Sequence, residues 1–256
     1  MAESAQPFDL ITMGRIGVDL YPLQSRAPLT RAETFGGFLG DTAADVAVAA
    51  ALLGRSAAVL TCTGDDPYDM DCFAIRAARV FWITGTGLSH EPRRSAVLAA
   101  FKARGRAGTT VFDLDWRPES WSDPEEARPY YAEALRHANV AVGTLDECEI
   151  ATGVREPRAC AQALLDAGVE LAVVKQGAAG VLAMHQDGTT AEVPPLAVES
   201  VNGHGTGGAF GGALCHGLLS GWDLATTVRY AADSPASSDA SSGRSAQEAG
   251  FHAEDR

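Results

Sequence analysis

Short apolar runs bounded by turn residues alternate along the chain with longer stretches of helical periodicity. Residues 8–13, 57–63, 80–84, 110–114 and 171–175 have the length and composition of strands, and Val140 and Val142 mark another short one. Residues 42–53, almost all alanine, valine and leucine, predict a buried helix with Gly54 as its stop. Residues 91–104 predict an amphipathic helix, 124–137 a helix with Pro124 near its first position, and 157–167 another. Strands separated by helices of this length imply βαβ units and a largely parallel sheet. After about residue 178 the pattern changes. A hairpin is predicted from 181–185 and 191–193 around Asp187-Gly188, followed by helices at 207–219 and 224–232. Residues 233–256 are rich in Ser, Ala, Asp and Gly, with Phe251 the one large apolar side chain, and read as a disordered tail. No internal repeat is evident.

Composition narrows the function classes. A chain of 256 residues with 46% hydrophobic residues can bury a substantial core. A net charge of −13 disfavours nucleic acid and anionic membrane as partners, but not small anions held by local loops. The longest apolar run, 46–53, is too short to span a bilayer, and the polar, acidic N-terminus is no secretory signal, so a cytoplasmic location is the default. The five cysteines lack Cys-x-x-Cys spacing and indicate neither a zinc site nor a redox pair.

Three glycine-bearing segments carry candidate chemistry. Residues 201–213 cluster glycines ahead of a helix, where backbone N–H groups and the helix dipole can hold an anion; close helix packing through small residues is the alternative. Residues 174–180, with Lys175, Gly177 and Gly180, end a buried strand, where open α/β sheets bind ligands; an ordinary turn would look the same. Gly14-Arg15-Ile16-Gly17-Val18-Asp19 follows the first strand, but its glycine spacing does not fit a dinucleotide fingerprint, which disfavours a Rossmann oxidoreductase. Asp19 is either a ligand of sugar hydroxyls or a solvated loop acid. His204 and His216 are more simply a loop residue and a packed core residue than ligands.

Together these segments, with residues 11–24, 81–89, 112–118 and 145–149, resemble the ribokinase/PfkB carbohydrate kinases, and within them the branch acting on 5-dehydro-2-deoxygluconate in inositol catabolism. The resemblance covers most of the chain up to about Tyr230. It implies an α/β, ribokinase-like kinase domain at 8–232 and transfer of phosphoryl from ATP, with Mg2+, to a hydroxyl of a sugar acid. By motif, Gly205, Thr206 and Gly207 match the family's anion hole. Glu147 matches the acid that organises magnesium and phosphates, and Lys175, Gly177 and Gly180 match the loop beside the nucleotide. Asp19, Gly40 and Asp45 fall at sugar-binding positions.

The chain departs from the family at informative places. Gly208 stands where the family's catalytic aspartate belongs, so impaired catalysis is expected, as is a gain of activity on Gly208→Asp. The next aspartates, Asp187 and Asp223, have no motif support as replacements. Thr144 and Asp45 replace asparagines, and Gly40-Asp41 replaces a glycine pair. Carboxylates at Asp41 and Asp45 would repel a sugar acid by up to about 4 kcal/mol for two charges 4 Å apart at an effective dielectric constant of ~20. The interval 67–79 is too short for the family's lid, so the lid is expected to be largely missing, together with any dimer it mediates. The last family elements, which close the adenine pocket, give way to the polar tail. A nucleotide- or sugar-binding protein without turnover is the rival reading, and a decayed gene product a third.

Overall fold

The computed structural model describes residues 7–22, 24, 31, 33–61, 72–195 and 206–234. Among the described residues ten strands form in chain order: β1 (Leu10–Met13), β2 (Gly17–Pro22), β3 (Phe35–Gly40), β4 (Ala57–Leu60), β5 (Val80–Thr84), β6 (Thr109–Asp113), β7 (Val140–Thr144), β8 (Leu171–Lys175), β9 (Val181–His185) and β10 (Thr190–Val193). Eight of them make one sheet in the order β10-β9-β8-β7-β6-β5-β1-β4. Pairing is parallel from β4 through β8, and β9 and β10 are antiparallel.

Helices cover both faces. α1 (Thr42–Leu52), α7 (Thr206–Ser220) and α8 (Leu224–Asp233) pack on one; α2 (Cys72–Ala77), α3 (Arg93–Arg104), α4 (Pro124–Leu135), α5 (Leu145–Thr152) and α6 (Pro157–Asp166) pack on the other. The period-two alternation of strand side chains divides the core accordingly. Val80, Trp82, Val111 and Val173 meet Val46, Phe210 and Leu214, whereas Phe81, Ile83 and Phe112 meet Val97, Phe101 and Tyr131. Arg104 is fully buried at the opposite end of the sheet from the strand C-termini, and its guanidinium donates to the carbonyls of Ile75, Arg76, Ala78, Arg79 and Thr109. Those contacts tie α2 and the starts of β5 and β6 together.

The apolar pattern placed the sheet strands, the hairpin and the long helices, with ends shifted by a few residues; of the 57–63 run, β4 takes Ala57–Leu60, and residues 62 and 63 lie outside the described residues. It predicted no element at 72–77, where α2 forms, or at 145–152, where α5 begins with a capping box between Thr144 and Glu147. It also placed neither strand of the small antiparallel sheet β2-β3. Three glycines in β3 and the flanking Gly17 and Pro22 hide that sheet from a hydrophobicity pattern. Its register puts Val18, Leu20, Phe35 and Leu39 on one exposed face, and Asp19 on the other. Between residues 67 and 79 the described part, 72–79, holds α2 and no strand. The tail from residue 235 onward lies outside the described residues.

α1 and α7 approach each other through small side chains. A methyl group on Gly212 would come within 2.5 Å of Ala49 Cβ and 2.8 Å of the Ala50 backbone nitrogen. On Gly211 it would reach Val46 and Trp82 at 2.6 and 2.7 Å. Gly212→Ala is therefore expected to destabilise the fold by about 1–2 kcal/mol in urea unfolding, because overpacking outweighs the gain in helix propensity. A stabilised variant would mean the two helices are looser than this.

Candidate functional site

Parallel strands deliver side chains to the C-terminal edge of the sheet, where ligands of open α/β folds bind. Here β1, β5, β6, β7 and β8 end at or beside Gly14, Thr84, Asp113, Thr144 and Lys175. Asp113 is 3% exposed. Burial pushes its carboxyl well above the usual range, against the pull of Lys175, with Asp115 and Glu147 adding to the rise. Asp115, just past the strand at the unusual φ of 30°, accepts from Thr86 Oγ1 at 3.2 Å and pairs with Arg117 at 3.0 Å. Burial lifts its pKa to about 6 although Arg117 opposes the shift. Glu147 Oε2 accepts the Thr144 N–H at 2.6 Å, so the carboxylate is fixed at the start of α5 while its charge still acts on Asp113 and Asp115.

A second group of acids surrounds the start of α1. Asp41, at the second position of the altered glycine pair, caps the helix by accepting from the Thr42 N–H at 2.9 Å and pairs with Arg15 at 2.6 Å. It does so at φ 83°, a conformation glycine takes without strain and aspartate rarely adopts. Asp19 reaches over from β2 onto Gly40: any Cβ at residue 40 would lie 2.4 Å from the Asp19 carboxyl, so only glycine admits that approach. Asp45 is half-buried one turn into α1. Burial raises its pKa to about 7, and the charges of Asp19 and Asp41 push the same way.

The glycine-rich helix start meets both groups. Thr206 opens α7, and Gly205 and His204 lie outside the described residues. Gly207 is open: an added Cβ would find only Lys175 Nζ, at 3.9 Å. Gly208 is closed, because its Cβ would fall 2.1 Å from Asp45 Cβ and 3.1 Å from the Asp45 backbone carbonyl carbon. This corrects the expectation that an aspartate could be restored there. Close packing explains Gly208, Gly211 and Gly212, and the anion-binding reading remains for the loop and Gly207. In the other loop, Gly180 has φ 92° and presses on the Val193 carbonyl, a backbone requirement; Gly177, at φ 56°, faces open space.

The sequence picked out Lys175, Glu147, Asp19, Gly40 and Asp45, and the structure brings them to one edge of the sheet. It missed Asp113, Asp115, Arg117 and Thr86 as site side chains, although an Asp-x-Asp-x-Arg run leaving a strand was a legible signal. Asp187 closes the β9-β10 turn, where Thr189 N–H donates to it, and Asp223 caps α8; neither serves the site. His216 packs against Trp222 and Tyr230 and accepts from Arg55. Among the described residues no three His, Cys, Asp or Glu side chains converge as a metal site, and no helix is long and apolar enough to cross a membrane.

A mostly parallel sheet with carboxylates and a lysine at its strand ends, facing a glycine-rich helix start, is the arrangement of the ribokinase-like α/β fold. The chain belongs to the pfkB family of carbohydrate kinases, whose family model matches residues 68–238. It is 25% identical to the 5-dehydro-2-deoxygluconokinase of Clostridium tetani, with 91% of this chain and 88% of that protein covered. That alignment runs over 297 positions, more than the 256 residues of this chain, so the relative carries internal segments absent here. Among solved structures, a PfkB protein from Polaromonas superposes with a TM-score of 0.75 at 21% identity, covering 92% of this chain and 96% of that one. Aminoimidazole riboside kinase of Salmonella enterica, solved with aminoimidazole riboside and an ATP analog, superposes with a TM-score of 0.71 at 22% identity, over 88% and 91% of the two chains.

Two outcomes follow from the crowding around Asp45. Gly208→Asp is expected to lower the melting temperature and to leave any activity no higher than that of the unaltered chain; a more active, equally stable variant would contradict the packing. The raised carboxyl of Asp45 means the folded chain holds a proton that the unfolded chain has released, from the ordinary aspartate pKa of about 4 up to about 7. Its contribution to stability is therefore lost as pH rises through that interval. Asp45→Asn should raise the melting temperature more at pH 8 than at pH 4, and a gap independent of pH would show that Asp45 ionises normally.

Proposed function

We propose that this chain transfers the γ-phosphoryl group of ATP to a hydroxyl of a sugar acid of the 5-dehydro-2-deoxygluconate kind. The observation that carries the reading is the family match over the segment that supplies Asp113, Asp115, Glu147 and Lys175. The C. tetani relative, similar over nine-tenths of the chain, bears that activity in its name and supports the choice of acceptor. Phosphoryl transfer asks a protein chiefly for positioning and for charge stabilisation. In this reading Gly205, Thr206 and Gly207 present backbone N–H groups to the transferring phosphate, and Lys175 reaches it from β8. Gly177 and Gly180 shape the loop beside the nucleotide. Asp19, Gly40 and Asp45 border the sugar, with Arg15 and Arg117, both about half-exposed, as cations for its carboxylate.

Magnesium would arrive with the nucleotide. Burial, with added repulsion from Glu147, lifts Asp113 and Asp115, and a cation nearby would relieve that repulsion while keeping waters and phosphate oxygens as its own ligands. In this reading Glu147 would orient the water ligands of the ion, and the ion would neutralise charge on the phosphates.

Position 208 supplies no base. Loss of a general base typically costs ~10²–10⁴ in rate, so turnover falls by that factor unless another carboxylate takes the proton. The absence of room for an acid at Gly208 is also what favours the rival reading, a protein that binds nucleotide or sugar without turnover. Incubating the chain with Mg-ATP and 5-dehydro-2-deoxygluconate separates them. The kinase reading predicts sugar-dependent release of ADP and a product heavier by one phosphoryl group. Calorimetric binding of Mg-ATP without product would favour the binding protein, and no binding by a folded chain would end both.

A further inference from the structure

We propose that Asp45, on α1, supplies the general base for phosphoryl transfer, its side chain occupying the space into which a side chain at position 208 would project. This deepens the kinase reading and rests on it. The geometric basis is the α1-α7 contact. An ideal Cβ on Gly208 falls 2.1 Å from Asp45 Cβ, well inside contact distance, and 3.2 Å from Asp45 Cα. A carboxyl carried on Asp45 Cβ therefore starts 2.1 Å from the point where a carboxyl on residue 208 would start. The two substitutions, acid lost from α7 and acid gained on α1, are complementary in space although they are remote in sequence.

The surroundings suit the role. Asp45 is half-buried, so its carboxylate can be reached from the site without being fully hydrated. Of the elements packed on α1, β2 brings Asp19 and the helix cap is Asp41, itself held by Arg15; β1, β3, β4 and β5 bring no charge to it, and the first turn of α7 has no acid. Lys175, beside Gly207, is the cation on the phosphate side. Burial and the two neighbouring aspartates move the carboxyl to about 7, close to the optimum for a group that must both accept and return a proton at neutral pH.

The step balances as follows. The acceptor hydroxyl gives its proton to the Asp45 carboxylate as its oxygen bonds to the γ-phosphorus. The bond from that phosphorus to the β,γ-bridging oxygen breaks, and ADP leaves with the electron pair. Asp45 then releases the proton to solvent. Asp19, which approaches from β2, serves to hold the sugar and takes no part in the proton transfer.

The test compares the unaltered chain with Asp45→Asn and Asp45→Glu across pH 5–9, with Mg-ATP and 5-dehydro-2-deoxygluconate. Calorimetry of ATP and of sugar binding runs alongside. The unaltered chain is expected to show kcat rising through an acid limb near pH 7. Asp45→Asn, which puts back the amide of the family pattern, should lose 10²-fold or more in kcat and the limb with it, while Kd for ATP and sugar changes little. Asp45→Glu should recover part of the rate. Equal kcat for the unaltered chain and Asp45→Asn overturns the proposal, and so does a loss confined to sugar Kd, which would make Asp45 a sugar-holding group. A ¹³C titration of the Asp45 carboxyl gives a readout without turnover: an ordinary pKa near 4 also overturns it. Failure of the unaltered chain to phosphorylate the sugar, with Asp45 titrating near 7, would instead defeat the kinase reading itself.

Discussion

The contact between α1 and α7 is the constraint on which the rest of the site depends. Alanines on one helix and glycines on the other let the two backbones approach until a methyl group no longer fits, at Gly208 as well as at Gly211 and Gly212. Dispersion and burial in such a seam are felt at the level of single methylene groups. The same seam aims the first turn of α7 at the C-terminal edge of the sheet, where Lys175 and Asp113 emerge. Position 208 is thus a packing residue in this chain, and the chemistry expected of it has to be done by its neighbour across the seam or go undone.

The edge of the sheet is over-supplied with acids. Asp113, Asp115 and Glu147 lie on one side, and Asp19, Asp41 and Asp45 on the other, with Lys175, Arg15 and Arg117 between and around them. Burial together with mutual repulsion raises Asp45, Asp113 and Asp115, which means the fold bears an unfavourable electrostatic term at this edge. Strained residues are concentrated here too, in Asp41 at φ 83° and Asp115 at φ 30°. Perturbed carboxyls and strained backbone gathered where strands end are features by which a functional site is recognised.

Much of the fold was legible because its elements are locally consistent. The alanine-valine run of α1, the β-branched run of β8 and the Asp187-Gly188 turn each point to one conformation. What escaped was hidden by glycine and by length: β3 is half glycine, and α2 has six residues. α5 could have been found from Thr144-Leu145-Asp146-Glu147, a capping-box spacing that the structure realises on both sides. Within the site, Lys175 and Glu147 were legible because they sit in motifs. Asp45 is marked by its motif, but its contact with Gly208 is not, since order along the chain points instead to the aspartates Asp187 and Asp223. Contact across two helices is a property of the tertiary structure, and no spacing rule reports it.

The most direct measurement is a crystal structure of the chain with a non-hydrolysable ATP analogue, magnesium and 5-dehydro-2-deoxygluconate. The account predicts an acceptor hydroxyl within hydrogen-bonding distance of the Asp45 carboxylate, about 2.6–3.2 Å, on the side facing Gly207 and Lys175. A sugar bound with every hydroxyl beyond the reach of Asp45, even through one water, would contradict it.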